Sequence, residues 1–196
     1  MTLHRRPLLV AAAAALLLAG CAQVSHVAHG DVTVRERVLV TVDRPWNQFE
    51  RTRTDDIPTW TQDGITVDAV RFYVGLKDGA LLAPTPTRPA GQKPLAFRSA
   101  MSPTELVDLF GALVARDGSS FTLKRVEAQL FAGQNGWHFE FESVRKADDV
   151  RLQGMGWLAV RNGELFAMTY TAPRLAFFAR HLPAVQAIVQ SARIKA

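Results

Sequence analysis

The stretch NGELFAMTYTAPRLAFFARHLPAVQAIVQSARI, Asn162–Ile194, passes from a turn into a strand, then a helix, then a short final strand. Asn162-Gly163 is a two-residue hairpin signal, because both residue types tolerate the positive φ that a type I′ turn requires. ELFAMTYT, Glu164 to Thr171, returns as a strand. From Ala172 the apolar spacing becomes helical. Leu175, Phe178, Ala179 and Leu182 share a face, as do Val185, Ile188 and Val189. Pro183 removes one internal hydrogen bond, so a kinked helix or two short ones are expected. SARI, Ser191 to Ile194, closes as a short edge strand.

Upstream of Asn162 the pattern is a meander. VRLQGMGWLAV, Val150 to Val160, is a strand in which Gly154 and Gly156 mark curvature or a closely approaching neighbour. RKADD turns the chain before it. WHFEFESV alternates, with Trp137, Phe139 and Phe141 inward and His138, Glu140 and Glu142 outward. Asn135-Gly136 is expected to turn the chain. FTLKRVEAQLF, Phe121 to Phe131, shifts apolar phase between Leu123 and Val126, which predicts a bulge. Successive hairpins of this kind make an antiparallel sheet.

Further upstream, SPTELVDLFGALVARDG predicts a helix. Ser102 can cap it, Pro103 occupies its first position, Glu105 completes a capping box and Gly118 ends it. Leu106, Phe110, Leu113 and Val114 form its apolar stripe. Pro84, Pro86, Pro89 and Pro94 mark a surface loop within the domain. GITVDAVRFYVGL, Gly64 to Leu76, and VTVRERVLVTV, Val32 to Val42, each read as a strand. Between them, DRPWNQFERTRTDDIPTW is expected to be irregular, since Pro45 and Pro58 interrupt it. Its aromatics Trp46, Phe49 and Trp60 are a candidate interaction surface, because Trp is enriched at interfaces. The alternative is that they plug the edge of the core.

The N-terminus fixes location. Arg5 and Arg6 precede the apolar run Pro7 to Ala19, which is too short for a membrane-spanning helix and normal for an export signal. Leu18-Ala19-Gly20-Cys21 follows, with the sole cysteine of the chain. This box resembles that of bacterial lipoproteins. The resemblance implies acylation of Cys21 and removal of residues 1–20, with 21–31 as a lipidated tether and 32–196 as a single domain. Two acyl chains hold a protein stably where one is marginal. Ala22, rather than Asp, implies by the same resemblance an outer-membrane anchor facing the periplasm. With no second cysteine, no internal disulfide can form.

A capped helix, an antiparallel meander, a C-terminal helix and a short last strand, over roughly residues 64–196, resemble in that order the PsbP/Mog-like fold. The resemblance implies an α+β class, with a meander sheet packed by an N-terminal capped helix and a kinked C-terminal helix. That group includes small bacterial lipoproteins and partner-binding proteins. It implies no enzymatic site, and no functional residue carries over.

The residues themselves carry no catalytic set. Ser119 and Ser120 lie in DGSSF, not in a Gly-x-Ser-x-Gly elbow. His26 and His29 have ligand-like spacing but lack organised companions, so no metal is expected. Asp55-Asp56 and Asp148-Asp149 lack the spacing of a calcium loop. His138 beside Glu140 and Glu142 reads as a wet sheet face, and His181 beside Arg180 as cement at the helix kink. Lys and Arg number 23 against 18 Asp and Glu; without Arg5 and Arg6 that is 21 against 18, or +3. The charges are interspersed, which excludes a nucleic-acid footprint. The expected function is a non-catalytic, lipid-anchored envelope protein without cofactor. It touches the membrane through acyl chains on Cys21 and binds a protein partner at the surface. The alternative is a carrier of a small apolar ligand, in a pocket between helices and sheet lined by Phe177, Phe178 and Met168.

Overall fold

The computed structural model describes residues 24–49, 57–83 and 94–195. Cys21, Asp55-Asp56 and most of the proline-rich loop lie outside the described residues. The order of elements is β1 (Val24–Val27), β2 (Gly30–Val34), β3 (Val38–Val42), β4 (Trp46–Phe49), β5 (Thr59–Thr61), β6 (Ala69–Leu76), α1 (Pro103–Ala115), β7 (Thr122–Phe131), β8 (Gln134–Val144), β9 (Arg151–Arg161), β10 (Glu164–Pro173), α2 (Phe177–Ser191) and β11 (Arg193–Ile194). An antiparallel sheet runs β1-β4-β5-β6-β10-β9-β8-β7, and a small one runs β11-β3-β2. The class is α+β.

Three layers follow from where the apolar side chains point. On one face of the large sheet, Phe72, Trp157, Phe166, Met168 and Tyr170 pack under α2 and the small sheet. On the other, Tyr73, Phe139, Phe141 and Leu158 pack under α1. Central strands are thus covered on both sides, and β10 is almost continuously buried rather than alternating. Arg37 ties the small sheet to β10. Its Nη2 lies 2.6 Å from Glu164 Oε2, its Nη1 donates to Glu164 Oε1, and its guanidinium lies 5.2 Å from the Phe166 ring centroid.

Helix α1 starts where its sequence says it should. Ser102 Oγ accepts from Glu105 N, and Glu105 Oε2 accepts from Ser102 N at 2.7 Å. The Ser102 backbone N–H, and after it the Ser102 hydroxyl, donate to the Glu105 carboxyl and hold it below its ordinary range. Leu106, Val107, Leu109 and Phe110 are its buried face, each large side chain contributing about 1.5–3 kcal/mol by burial.

Several expectations are corrected. Residues 24–31 are not a tether: β1 pairs with β4, and β2 opens a hairpin with β3. Val32–Val42 is therefore two strands, turned at Arg35 and Glu36, which adopt φ of 48° and 58°. Neither residue type announces such a turn, so the apolar alternation reads straight through it. The segment holding Pro45 and Pro58 contains β4 and β5; both prolines flank strands rather than interrupt them. The β7–β8 turn is Ala132-Gly133, not Asn135-Gly136, and the expected bulge falls between Leu123 and Arg125. Gly136 lies inside β8, where an added Cβ would run into the Leu158 carbonyl. Leu175 precedes α2 and is 79% exposed. Pro183 lies inside α2, which continues as one element. Pro183 and Ala179 both face solvent, so water can satisfy the carbonyl left without a donor.

Candidate functional site

A cleft of about 240 Å³ opens between α1 and the large sheet. Strand alternation places its floor: Ala69, Arg71 and Tyr73 from β6, Thr169 and Thr171 from β10, and Phe139, Phe141 and Ser143 from β8. Phe110, Leu113 and Val114 of α1 form one wall. The loop Ile65 to Val67 forms another, held by Arg145, which donates from Nη1 to the Thr66 carbonyl at 2.5 Å.

The cleft is apolar at one end and polar at the other. At the apolar end, the Tyr73 and Phe110 rings meet edge to face at 5.1 Å, and Phe110 and Phe139 lie 5.7 Å apart. Two glycines make this floor possible. In the β8–β9 register Phe139 opposes Gly156 and Phe141 opposes Gly154, and each ring lies over the glycine it faces. A Cβ at Gly154 would come within 2.5 Å of Phe141 Cε1 and Cε2. The rings can lie flat across β9 only because those positions carry no side chain.

At the polar end the charges divide unevenly. Arg145 is held by Asp148 through Nε and Nη2 at 2.8 and 2.7 Å. That pairing draws the Asp148 carboxyl below its ordinary range. Asp117, beside Arg116, accepts from Ser119 N at 2.9 Å. Burial pushes the Asp117 carboxyl up, but its bonds from Ser119 prevail and the net shift is downward. Arg71 is half-buried and, among the described residues, has no hydrogen-bond or carboxylate partner. Ser143 Oγ is buried in the same floor, also without a partner.

A second polar cluster lies where α2 meets the loop before β6. His181 Nε2 lies 2.6 Å from Asp63 Oδ2. Asp68 is fully buried and caps its own loop, accepting from Thr61 Oγ1, Gln62 N and Asp63 N at 2.7–2.8 Å. One ligand atom from each of Asp63, Asp68 and His181 lies within 4.8 Å of the others. The Asp68 oxygens already accept three hydrogen bonds, so the trio serves to fasten α2 to the loop. Nearby, Tyr170 Oη donates to the Phe178 carbonyl at 3.1 Å. Burial, followed by the charges of Asp68 and Asp63, pushes the Tyr170 hydroxyl well above its ordinary range.

The structure redistributes the residues singled out in the sequence. Trp46 and Trp60 are 1% and 0% exposed, so they belong to the core and cannot form an interaction surface. The cause is strand pairing: β5 lies between β4 and β6, which turns Trp60 onto Phe72 with ring centroids 4.5 Å apart. Phe49 is half-buried at the end of β4. Phe178 and Met168 are buried and Phe177 packs beside them under the opposite face, so they do not line the cleft. His26 and His29 are exposed, and His26 lies in β1. His138 is not on a wet face: it is 6% exposed, stacks on Trp157 at 5.2 Å and reaches Glu127 at 3.2 Å. His181 cements the helix to the loop through Asp63, which Arg180 also approaches at 3.8 Å. Ser119 and Ser120 brace the β8–β9 turn, Ser119 Oγ accepting from Lys146 N and Ser120 Oγ from Val144 N. The residue missed was Arg71, whose signal was a lone cation inside the apolar strand AVRFYV.

No family model matches the chain, and no curated protein matches it. Among solved structures, cyanobacterial PsbP (CyanoP) from Synechocystis sp. PCC 6803 aligns with a TM-score of 0.56 at 11% identity, covering 91% of this chain and 96% of that one. LpqN, involved in cell envelope biogenesis of Mycobacterium tuberculosis, aligns with a TM-score of 0.37 at 10% identity, covering 89% and 91%. The second similarity is too low to carry an argument, and the first shows the fold alone. The chain has a PsbP-like fold.

Proposed function

We propose that this chain is a lipid-anchored cell-envelope protein whose folded domain is a non-catalytic binding module, with the α1 cleft as its ligand site. The observation that carries the reading is the cleft itself: about 240 Å³, aromatic at one end and hydroxyl- and guanidinium-lined at the other. Pockets of mixed lining, mostly apolar with a few convergent polar groups, are the usual form of a small-molecule site. The non-catalytic reading draws on the histidines with side-chain partners, His138 and His181, which face carboxylates rather than a nucleophile. Anchoring rests on Leu18-Ala19-Gly20-Cys21 and on the apolar run before it. By its resemblance to lipoprotein sorting signals, Ala22 in place of Asp supports an outer-membrane anchor facing the periplasm.

Native mass spectrometry of the full-length protein, extracted from envelopes in nonionic detergent, tests the ligand reading. The expected spectrum carries a reproducible adduct that is lost in Val114→Trp, whose side chain would fill the cleft. A spectrum of bare, acylated protein would count against it. Cys21→Ser should abolish incorporation of labelled palmitate and release the protein from membranes. Unchanged labelling would remove the anchor from the account.

A second reading, a protein partner, draws on β7. This ten-residue strand ends the large sheet and exposes Leu123, Val126 and Leu130, the last at 67%. Open edges of this kind are templates for an added strand. Crosslinking from β7 in intact envelopes should then recover one reproducible protein.

A further inference from the structure

The cleft has a chemical preference that its shape alone does not state. Arg71 projects from the middle of β6 between apolar neighbours, opposite Thr169 of β10 in the sheet register. A half-buried guanidinium carries five donors and retains its charge at any working pH. Where such a group has no carboxylate to face, its desolvation is uncompensated. The other cations of the cleft are balanced: Arg145 by Asp148, and Arg116 by the adjoining Asp117. Thr169, opposite Arg71, and Thr171, two residues along the same strand, set hydroxyls beside it on the same floor. Next to these groups stand the rings of Phe139 and Phe141 and the side chain of Leu113.

We propose that the cleft binds a small amphipathic monoanion. Its carboxylate or sulfonate head would be taken by Arg71 and the hydroxyls of Thr169 and Thr171, and its aromatic or short aliphatic body would lie against the partly exposed Leu113 and Val114, above the buried floor rings of Phe139 and Phe141. This rests on the reading of the cleft as a ligand site, and it replaces the purely apolar ligand expected from the sequence. A purely apolar molecule would leave the Arg71 charge buried beneath it and unpaired, which is the costly outcome. A simple inorganic anion would leave the aromatic end empty.

The test is calorimetric titration of the full-length protein in nonionic detergent with 1-naphthoate and with its neutral isostere 1-naphthamide, each corrected against empty micelles. Wild type should bind the acid at least about tenfold more tightly than the amide, as a charge-assisted pair implies. Arg71→Gln should bring the acid down to the amide's affinity and leave the amide unchanged, which also shows that the variant is folded. Arg44→Gln, which removes the same charge from an exposed turn far along the chain, should change neither. Equal affinity for acid and amide, or an Arg71→Gln variant that still prefers the acid, would overturn the anion inference while leaving a ligand-binding cleft. Failure of wild type to bind either molecule would overturn the cleft reading and the inference together.

Discussion

Replacing Gly156 with alanine puts one methyl group where Phe139 already lies. The added Cβ would fall well inside contact distance of Phe139 Cε1 and Cζ, and 3.0 Å from Cδ1. Ordinary carbon–carbon contact is about 3.5–4.0 Å, so the ring has to shift by roughly an ångström or β9 has to back away. The ring has little room. It is 1% exposed, 5.7 Å from the Phe110 ring above it and 6.0 Å from Phe141 beside it. Overpacking of a closed core costs about 1–3 kcal/mol. For a chain of this size each kcal/mol moves Tm by about 2–4 °C, so a cost near 2 kcal/mol predicts a fall of about 4–8 °C. Thermal unfolding followed by near-ultraviolet circular dichroism reads it. The partner variant Phe139→Leu removes the ring edge that the methyl group strikes. The double variant should therefore be more stable than the two single losses predict, by about 1–2 kcal/mol. Additivity to within about 0.5 kcal/mol would refute the reasoning, because it would mean that Gly156 and Phe139 do not compete for the same space.

Other outcomes follow from the same structure. Ser102→Ala removes the α1 cap and should cost about 1 kcal/mol, read as a lowered denaturation midpoint with an unchanged slope. Asp63→Asn weakens the bond to His181, which fastens α2 to the loop before β6. A loss of about 1–3 kcal/mol is expected, with faster amide exchange in the first turns of α2. For pH, the carboxyls of Glu105, Asp148 and Glu164 are all held below their ordinary ranges, Glu164 chiefly by its hydrogen bond from Arg37. A depressed carboxyl contributes stability that is complete above its unfolded value and is lost as pH falls through its folded one. Tm should therefore be level from neutrality to about pH 5 and fall below it. Arg37→Gln should remove the part of that acid dependence owed to Glu164.

The C-terminal half of the fold was legible because each of its signals is local. Asn162 and Gly163 adopt φ of 53° and 75°, the turn their chemistry allows. Ser102, Pro103 and Glu105 mark a helix start within four residues, and Gly154 and Gly156 signalled the ring approach that Phe141 and Phe139 make. The N-terminal third was not legible in the same way. Arg35 and Glu36 turn the chain without a turn residue, and β4 and β5 are four- and three-residue strands set among prolines. Burial on both faces hid the sidedness of β10, and His138 read as wet because nothing local to its sequence places it on the Trp157 ring and beside Glu127. The cleft was illegible for a related reason. Its lining comes from β6, α1, β8 and β10, separated along the chain by up to about a hundred residues, and only the sheet order brings Arg71 beside Thr169 and sets Phe139 in the same row two strands further on.

The central claim is that ligand enters beneath α1. A two-dimensional NMR titration of isotopically labelled protein with 1-naphthoate tests it most directly. The account predicts saturable shifts at Arg71, Tyr73, Leu113, Phe139, Phe141 and Thr169, with α2 and the small sheet unmoved. Shifts confined to the β7 edge or to α2, or none at all, would contradict it.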